Sequence, residues 1–67
     1  MLNLVLNGEP RAFAAPLDVA GLIAHLELDA RKVAVERNLA IVPRSAYADT
    51  HLLEGDRIEI VTFVGGG

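Results

Sequence analysis

Leucine occupies every second position of Met-Leu-Asn-Leu-Val-Leu, residues 1–6, with Leu2, Leu4 and Leu6 on one side. Period two is strand periodicity, so the segment predicts a first strand with one face in a core. Asn7-Gly8 comes next, a pair suited to the positive φ of both central residues of a type I′ turn. Glu9-Pro10-Arg11-Ala12-Phe13 then predicts an antiparallel return. Pro10 has no N–H to offer a ladder, which assigns this second strand to a sheet edge.

The period changes at Asp18. Val19, Leu22, Ile23 and Leu26 stand at i, i+3, i+4 and i+7, a single apolar stripe that predicts a helix over Val19–Leu26 with Asp18 as its cap. Gly21 inside that helix costs of order 1 kcal/mol relative to Ala and suggests close packing against a strand. Val33-Ala34-Val35-Glu36-Arg37 reads as a third strand. Asn38-Leu39-Ala40 reads as a turn into a short fourth strand, Ile41-Val42, stopped by Pro43. Ser45 is expected to cap a brief helical turn through Tyr47, Leu52 and Leu53 to re-enter the core, and Glu54-Gly55-Asp56 to turn tightly.

The last strand, Arg57 to Val64, carries the longest alternation. Ile58, Ile60, Thr62 and Val64 fall on one face, and Arg57, Glu59, Val61 and Phe63 on the other. Strands and one main helix in this order make a two-layer α+β roll. The final strand belongs in the sheet centre beside the first, with the Pro10 strand at the rim.

Composition narrows the chemistry. The chain has 67 residues, 52% of them hydrophobic and 22% charged, so it is a single domain too apolar to stay disordered. It has no cysteine, which removes disulfides, thiolate metal sites and cysteine nucleophiles, and fits a reducing cytoplasm. The net charge of −3 and the scatter of Arg11, Arg31, Lys32, Arg37, Arg44 and Arg57 argue against nucleic acid. Apolar runs such as 12–15 and 39–42 fall far short of the roughly 18 residues that cross a bilayer, so no membrane partner is expected. No secretory signal is legible at Met1.

Few residues offer catalysis. His25 and His51 lack the close spacing of zinc ligands, so no metal or other cofactor is expected. A Ser45, His51 and Asp56 trio has none of the surrounding sequence of a nucleophile elbow. Lys32 is the only lysine, and Asp29, Glu36, Glu54, Asp56 and Glu59 read as solvated charge.

What remains is Gly65-Gly66-Gly67. A phosphate-cradling loop needs a helix behind its glycines, so no such loop is expected here. One reading is a frayed end. The other is a slender arm without a Cβ, at most about 10 Å long, that enters a narrow channel. The carboxylate at its tip, ionised at neutral pH, becomes an acyl donor if it attacks the α-phosphate of ATP to form an acyl adenylate. A partner must then supply the catalysis. The outward Val61 and Phe63 beside this arm are candidates for partner docking, with cross-strand packing as the alternative.

The Asn7-Gly8 hairpin, the capped helix, Val33-Ala34-Val35-Glu36-Arg37-Asn38, Ile41-Val42-Pro43-Arg44, the run from Leu53 through Gly55-Asp56 to Val61, and the terminal glycines together resemble the ThiS family of thiamine-biosynthesis sulfur carriers. The resemblance runs from Met1 to Gly67. It implies a ubiquitin-like β-grasp fold over residues 1–64, a mixed sheet of four to five strands on one main helix with the first strand parallel to the last, and a flexible tail over 65–67. It also implies that Gly67 is adenylated by an E1-like enzyme, converted to a thiocarboxylate with sulfur from a donor such as a cysteine desulfurase, and presented to thiazole synthase. Gly66 and Gly67 match the family's tail. Asn38-Leu39 departs from it, since many relatives have Asn-Gly there. Alternatives are the molybdopterin-synthase small subunit, a carrier for tRNA thiolation or protein modification, and a noncatalytic β-grasp interaction module.

Overall fold

The structure is a computed structural model and describes residues 1–63. The predicted end of the last strand at Val64 and the tail Gly65, Gly66 and Gly67 lie outside the described residues.

Strands β1 (Leu2–Leu6) and β2 (Glu9–Phe13) form the predicted hairpin, with Asn7 and Gly8 at φ 50° and 81°. Helix α1 (Val19–His25) follows, then β3 (Val33–Arg37), β4 (Ala40–Val42) and β5 (Arg57–Thr62). The sheet order is β2-β1-β5-β3-β4, so the Pro10 strand is an edge and the last strand is central. β5 runs parallel to β1, with Val5 opposite Arg57 and Leu6 opposite Ile58, and antiparallel to β3 from Val33–Thr62 to Arg37–Ile58. This mixed five-stranded sheet with one helix across it is the β-grasp roll.

Alternation sets the two faces. Leu4, Leu6, Val33, Val35, Ile58 and Ile60 point inward and meet Val19, Leu22 and Ile23 of α1 in one buried core. Each fully buried aliphatic side chain there stabilises the fold by about 1.5–3 kcal/mol. The helix starts where Asp18 accepts the Gly21 N–H at 2.6 Å. No helix among the described residues is long and apolar enough to cross a membrane.

Three local expectations need correction, and one turn is new. Ser45 caps nothing: the 3-10 turn Arg44–Ala46 has Pro43 at its N-cap without a side-chain hydrogen bond, because the fixed φ of Pro43 leads the chain into the turn. Leu52 is buried but Leu53 is exposed, since its N–H is held by the Asp56 carboxylate and its side chain swings out. A Cβ on Gly21 would approach Asp18 Oδ1 and Leu17 Cδ2 at 3.2 and 3.3 Å, so its crowding comes from the cap, not from a strand. A second 3-10 turn, Ala30–Lys32, precedes β3 and is capped by Asp29, whose carboxylate accepts the Arg31 N–H.

Candidate functional site

The site is built around the outgoing end of β5. Asp56 anchors its start. This carboxylate is only 7% exposed and accepts from Arg37 Nε at 2.7 Å, from the Asn38 amide at 3.0 Å and from the Leu53 N–H at 2.9 Å. Burial pushes its pKa up, but those three donors and the Arg37 charge outweigh it and hold the group below the usual aspartate range. Glu54 grips β1 from the same turn, taking both the backbone N–H and the side-chain amide of Asn3, which lowers its pKa.

Two asparagines then extend the ladders. Beyond Leu6–Ile58, the backbone of β1 turns away, and the Asn7 side chain takes over: its Oδ1 accepts the Ile60 N–H at 2.8 Å and its Nδ2 donates to the Ile60 carbonyl at 3.1 Å. On the other flank the Asn38 N–H donates to the Arg57 carbonyl, and Asn38 Oδ1 accepts the Arg57 N–H at 2.9 Å. Both asparagines sit at positive φ in their turns. The Asn38-Leu39 turn keeps the type I′ shape with Leu39 at φ 72°, although no glycine is present to ease it.

At the far end, the Phe63 N–H donates to the Lys32 carbonyl at 3.0 Å, so the backbone is fixed up to the last described residue. Val61, 61% exposed, lies across from Ala34 on the outer face. Phe63, 48% exposed, borders a cleft of about 450 Å³ together with Arg31, Ile41, Arg44 and Tyr47. Ala34 and Ile41 line this cleft and also the hollow beside Val61, so the two predicted docking residues share one exposed apolar surface. At the cleft rim Arg31 is paired with Asp29 at 3.0 Å; hydrogen bonds from the Arg31 side chain and backbone lower the Asp29 pKa to about 2.

Ile41, 77% exposed, belongs to the same surface and escaped the sequence reading. Val42 opposite Val35 faces the core, so its neighbour Ile41 must face out; a three-residue strand carries too little alternation to reveal this unaided. The histidines are apart from this region. His25 meets Phe13 edge to face at 5.0 Å between ring centroids, and His51 bridges to Asp18. Among the described residues no three His, Asp or Glu side chains gather as metal ligands.

Comparison with known proteins gives consistent matches. The model of the ThiS family matches residues 4–67. The chain is 54% identical over 66 residues to a thiazole synthase of Paramagnetospirillum magneticum, covering 98% of this chain and 20% of that protein. It is 43% identical over 49 residues to the sulfur carrier protein ThiS of Bacillus subtilis, covering 73% of this chain and 74% of that one. Among solved structures, the crystal structure of a thiamine biosynthesis protein (ThiS) from Geobacter metallireducens superimposes with a TM-score of 0.84 at 35% identity, over 98% of this chain and 100% of that one. The chain spans about one fifth of the length of the two thiazole synthases it matches.

Proposed function

The chain belongs to the ThiS family, and from that membership we propose that it carries sulfur as a thiocarboxylate on Gly67 for assembly of a thiazole ring. The observation that carries this reading is the reach of the family match: it continues past the described residues to Gly67. A glycine end has no Cβ to obstruct an active-site channel, and its carboxylate is ionised at neutral pH.

The chemistry proceeds in three displacements. A carboxylate oxygen of Gly67 attacks the α-phosphorus of ATP, pyrophosphate leaves, and an acyl adenylate forms. The outer sulfur of a donor persulfide then attacks the acyl carbon and AMP leaves; a thiol attacks the donor-side sulfur of the resulting acyl disulfide, forms a disulfide with it and releases the end as a thiocarboxylate. An E1-like adenylating enzyme, a sulfur donor such as a cysteine desulfurase, and thiazole synthase are the partners of these steps. The protein itself is a co-substrate and supplies no catalytic group. Val61 and Phe63 provide apolar contact for a docked partner, and Gly65 and Gly66 form the reach between that contact and the reacting atom. Two relatives bearing the name thiazole synthase contain a stretch matching nearly all of this chain, which favours thiazole synthase over a molybdopterin synthase as the acceptor.

The absence of cysteine gives a clean test. The chain is incubated with ATP, a sulfur donor and the adenylating enzyme, treated with a thiol-alkylating reagent and digested for mass spectrometry. The expected label sits on the C-terminal peptide alone, and deletion of Gly67 abolishes it while docking persists. Alkylation defines the result better than a mass gain, because Met1 oxidation adds nearly the mass of an oxygen-to-sulfur exchange. An unlabelled C-terminal peptide would favour the noncatalytic interaction module.

A further inference from the structure

The outer face of the sheet contains a local conflict. Glu36 on β3 stands directly opposite Glu59 on β5. Like charges in that position destabilise a sheet. Neither carboxylate joins the ion pairs found among the described residues, Arg31–Asp29 and Arg37–Asp56. Arg57, two residues before Glu59 on the same face, is not in ion-pair contact with it. The two glutamates also border an apolar hollow of about 170 Å³, whose other walls include Ala34, Ile41 and Val61. The apolar walls suit an aliphatic stem, and the two carboxylates suit a cation at its end. Such a combination matches a long basic side chain, which buries its methylenes while its head meets charge. A guanidinium fits better than an ammonium, because its planar fork of five donors spans two carboxylates.

We propose that this hollow receives one arginine side chain of the thiazole synthase docked on the outer face of the sheet, with its guanidinium between Glu36 and Glu59. The inference rests on the carrier reading, which requires a protein seated against this domain while Gly67 is processed. The Glu36–Glu59 repulsion is then a stability cost retained for recognition, and docking relieves it.

The test titrates purified thiazole synthase from the same organism into the full chain, comparing wild type with Glu36→Gln, Glu59→Gln and the double variant. Each single variant is expected to weaken binding by about tenfold, as loss of a hydrogen-bonded charge does. The wild-type affinity should fall steeply with added NaCl, and the double variant should lose most of that dependence. In the same proteins the thermal midpoint is expected to rise by roughly 1–5 °C, since the repulsion is gone. A structural role alone moves the midpoint and leaves the affinity and its salt dependence untouched, an outcome that overturns the arginine site while leaving the carrier reading intact. A variant with a lower midpoint also overturns it. Wild type that does not bind thiazole synthase overturns the carrier reading, and the arginine site with it.

Discussion

Asn7 does two jobs that one residue type combines. It tolerates φ 50° in a tight turn, and its amide presents a donor and an acceptor spaced like those of a peptide, so it continues the β1 ladder to Ile60 after the backbone has left. Asn7→Ala is expected to cost about 1–3 kcal/mol, because both polar groups of Ile60 lose a partly buried partner; urea unfolding followed by circular dichroism measures it. Leu39 shows the opposite case. It is 90% exposed and held at φ 72°, a region that costs a β-carbon-bearing residue roughly 1–2 kcal/mol. Leu39→Gly is therefore expected to raise stability by about 1 kcal/mol and the thermal midpoint by roughly 4–8 °C in calorimetry. The Asn-Gly sequence signal exposed the first turn at once. The second turn reaches the same shape because Asn38 is fastened to Arg57 and Asp56, contacts between residues almost twenty positions apart that no local pattern displays.

Among elements, legibility followed periodicity. The leucine alternation of β1, the Pro10 edge strand, the stripe of α1 and the central place of β5 were all readable, because each buries one face and burial leaves a period. The short turns were not. Ala30–Lys32 has no apolar rhythm, and its cap rests on the single local bond from Arg31 to Asp29. The end of α1 also lacked its usual sign. Leu28 N–H returns to the Ile23 carbonyl and Glu27 N–H to that of Ala24, the paired bonds of a Schellman ending, yet Glu27 occupies the position at φ 58° where glycine is common. Glu27→Gly should strengthen this terminus, adding about 1 kcal/mol in denaturant titration with α1 unchanged in length by NMR. The exposed surface of Val61, Phe63 and Ile41 was half legible for the same reason: β5 is long enough to reveal its faces, and β4 is not.

At the scale of the whole molecule, acid is the informative variable. Asp56, Asp29 and Glu54 all have pKa values lowered by folding, from ordinary values of 3.8, 3.8 and 4.5. Below those values the unfolded chain takes up more protons than the folded one, so their contribution, complete above them, declines as pH falls toward the folded values. Asp29 and Glu54 lie at the solvated surface, which leaves Asp56 as the dominant group. Asp56→Asn is expected to cost about 2–4 kcal/mol at neutral pH and to flatten the fall in stability below about pH 4, measured by thermal melts across an acid series. The place of β5 has a mechanical consequence as well. It is clamped on both flanks, by β1 and Asn7 on one side and by β3 and Asn38 on the other, with the Phe63 N–H tied to Lys32. A tug applied beyond Phe63 loads these bonds in shear, all together, whereas an edge strand would unzip one rung at a time. A load at Phe63 is thus met by an anchor that yields only as a whole.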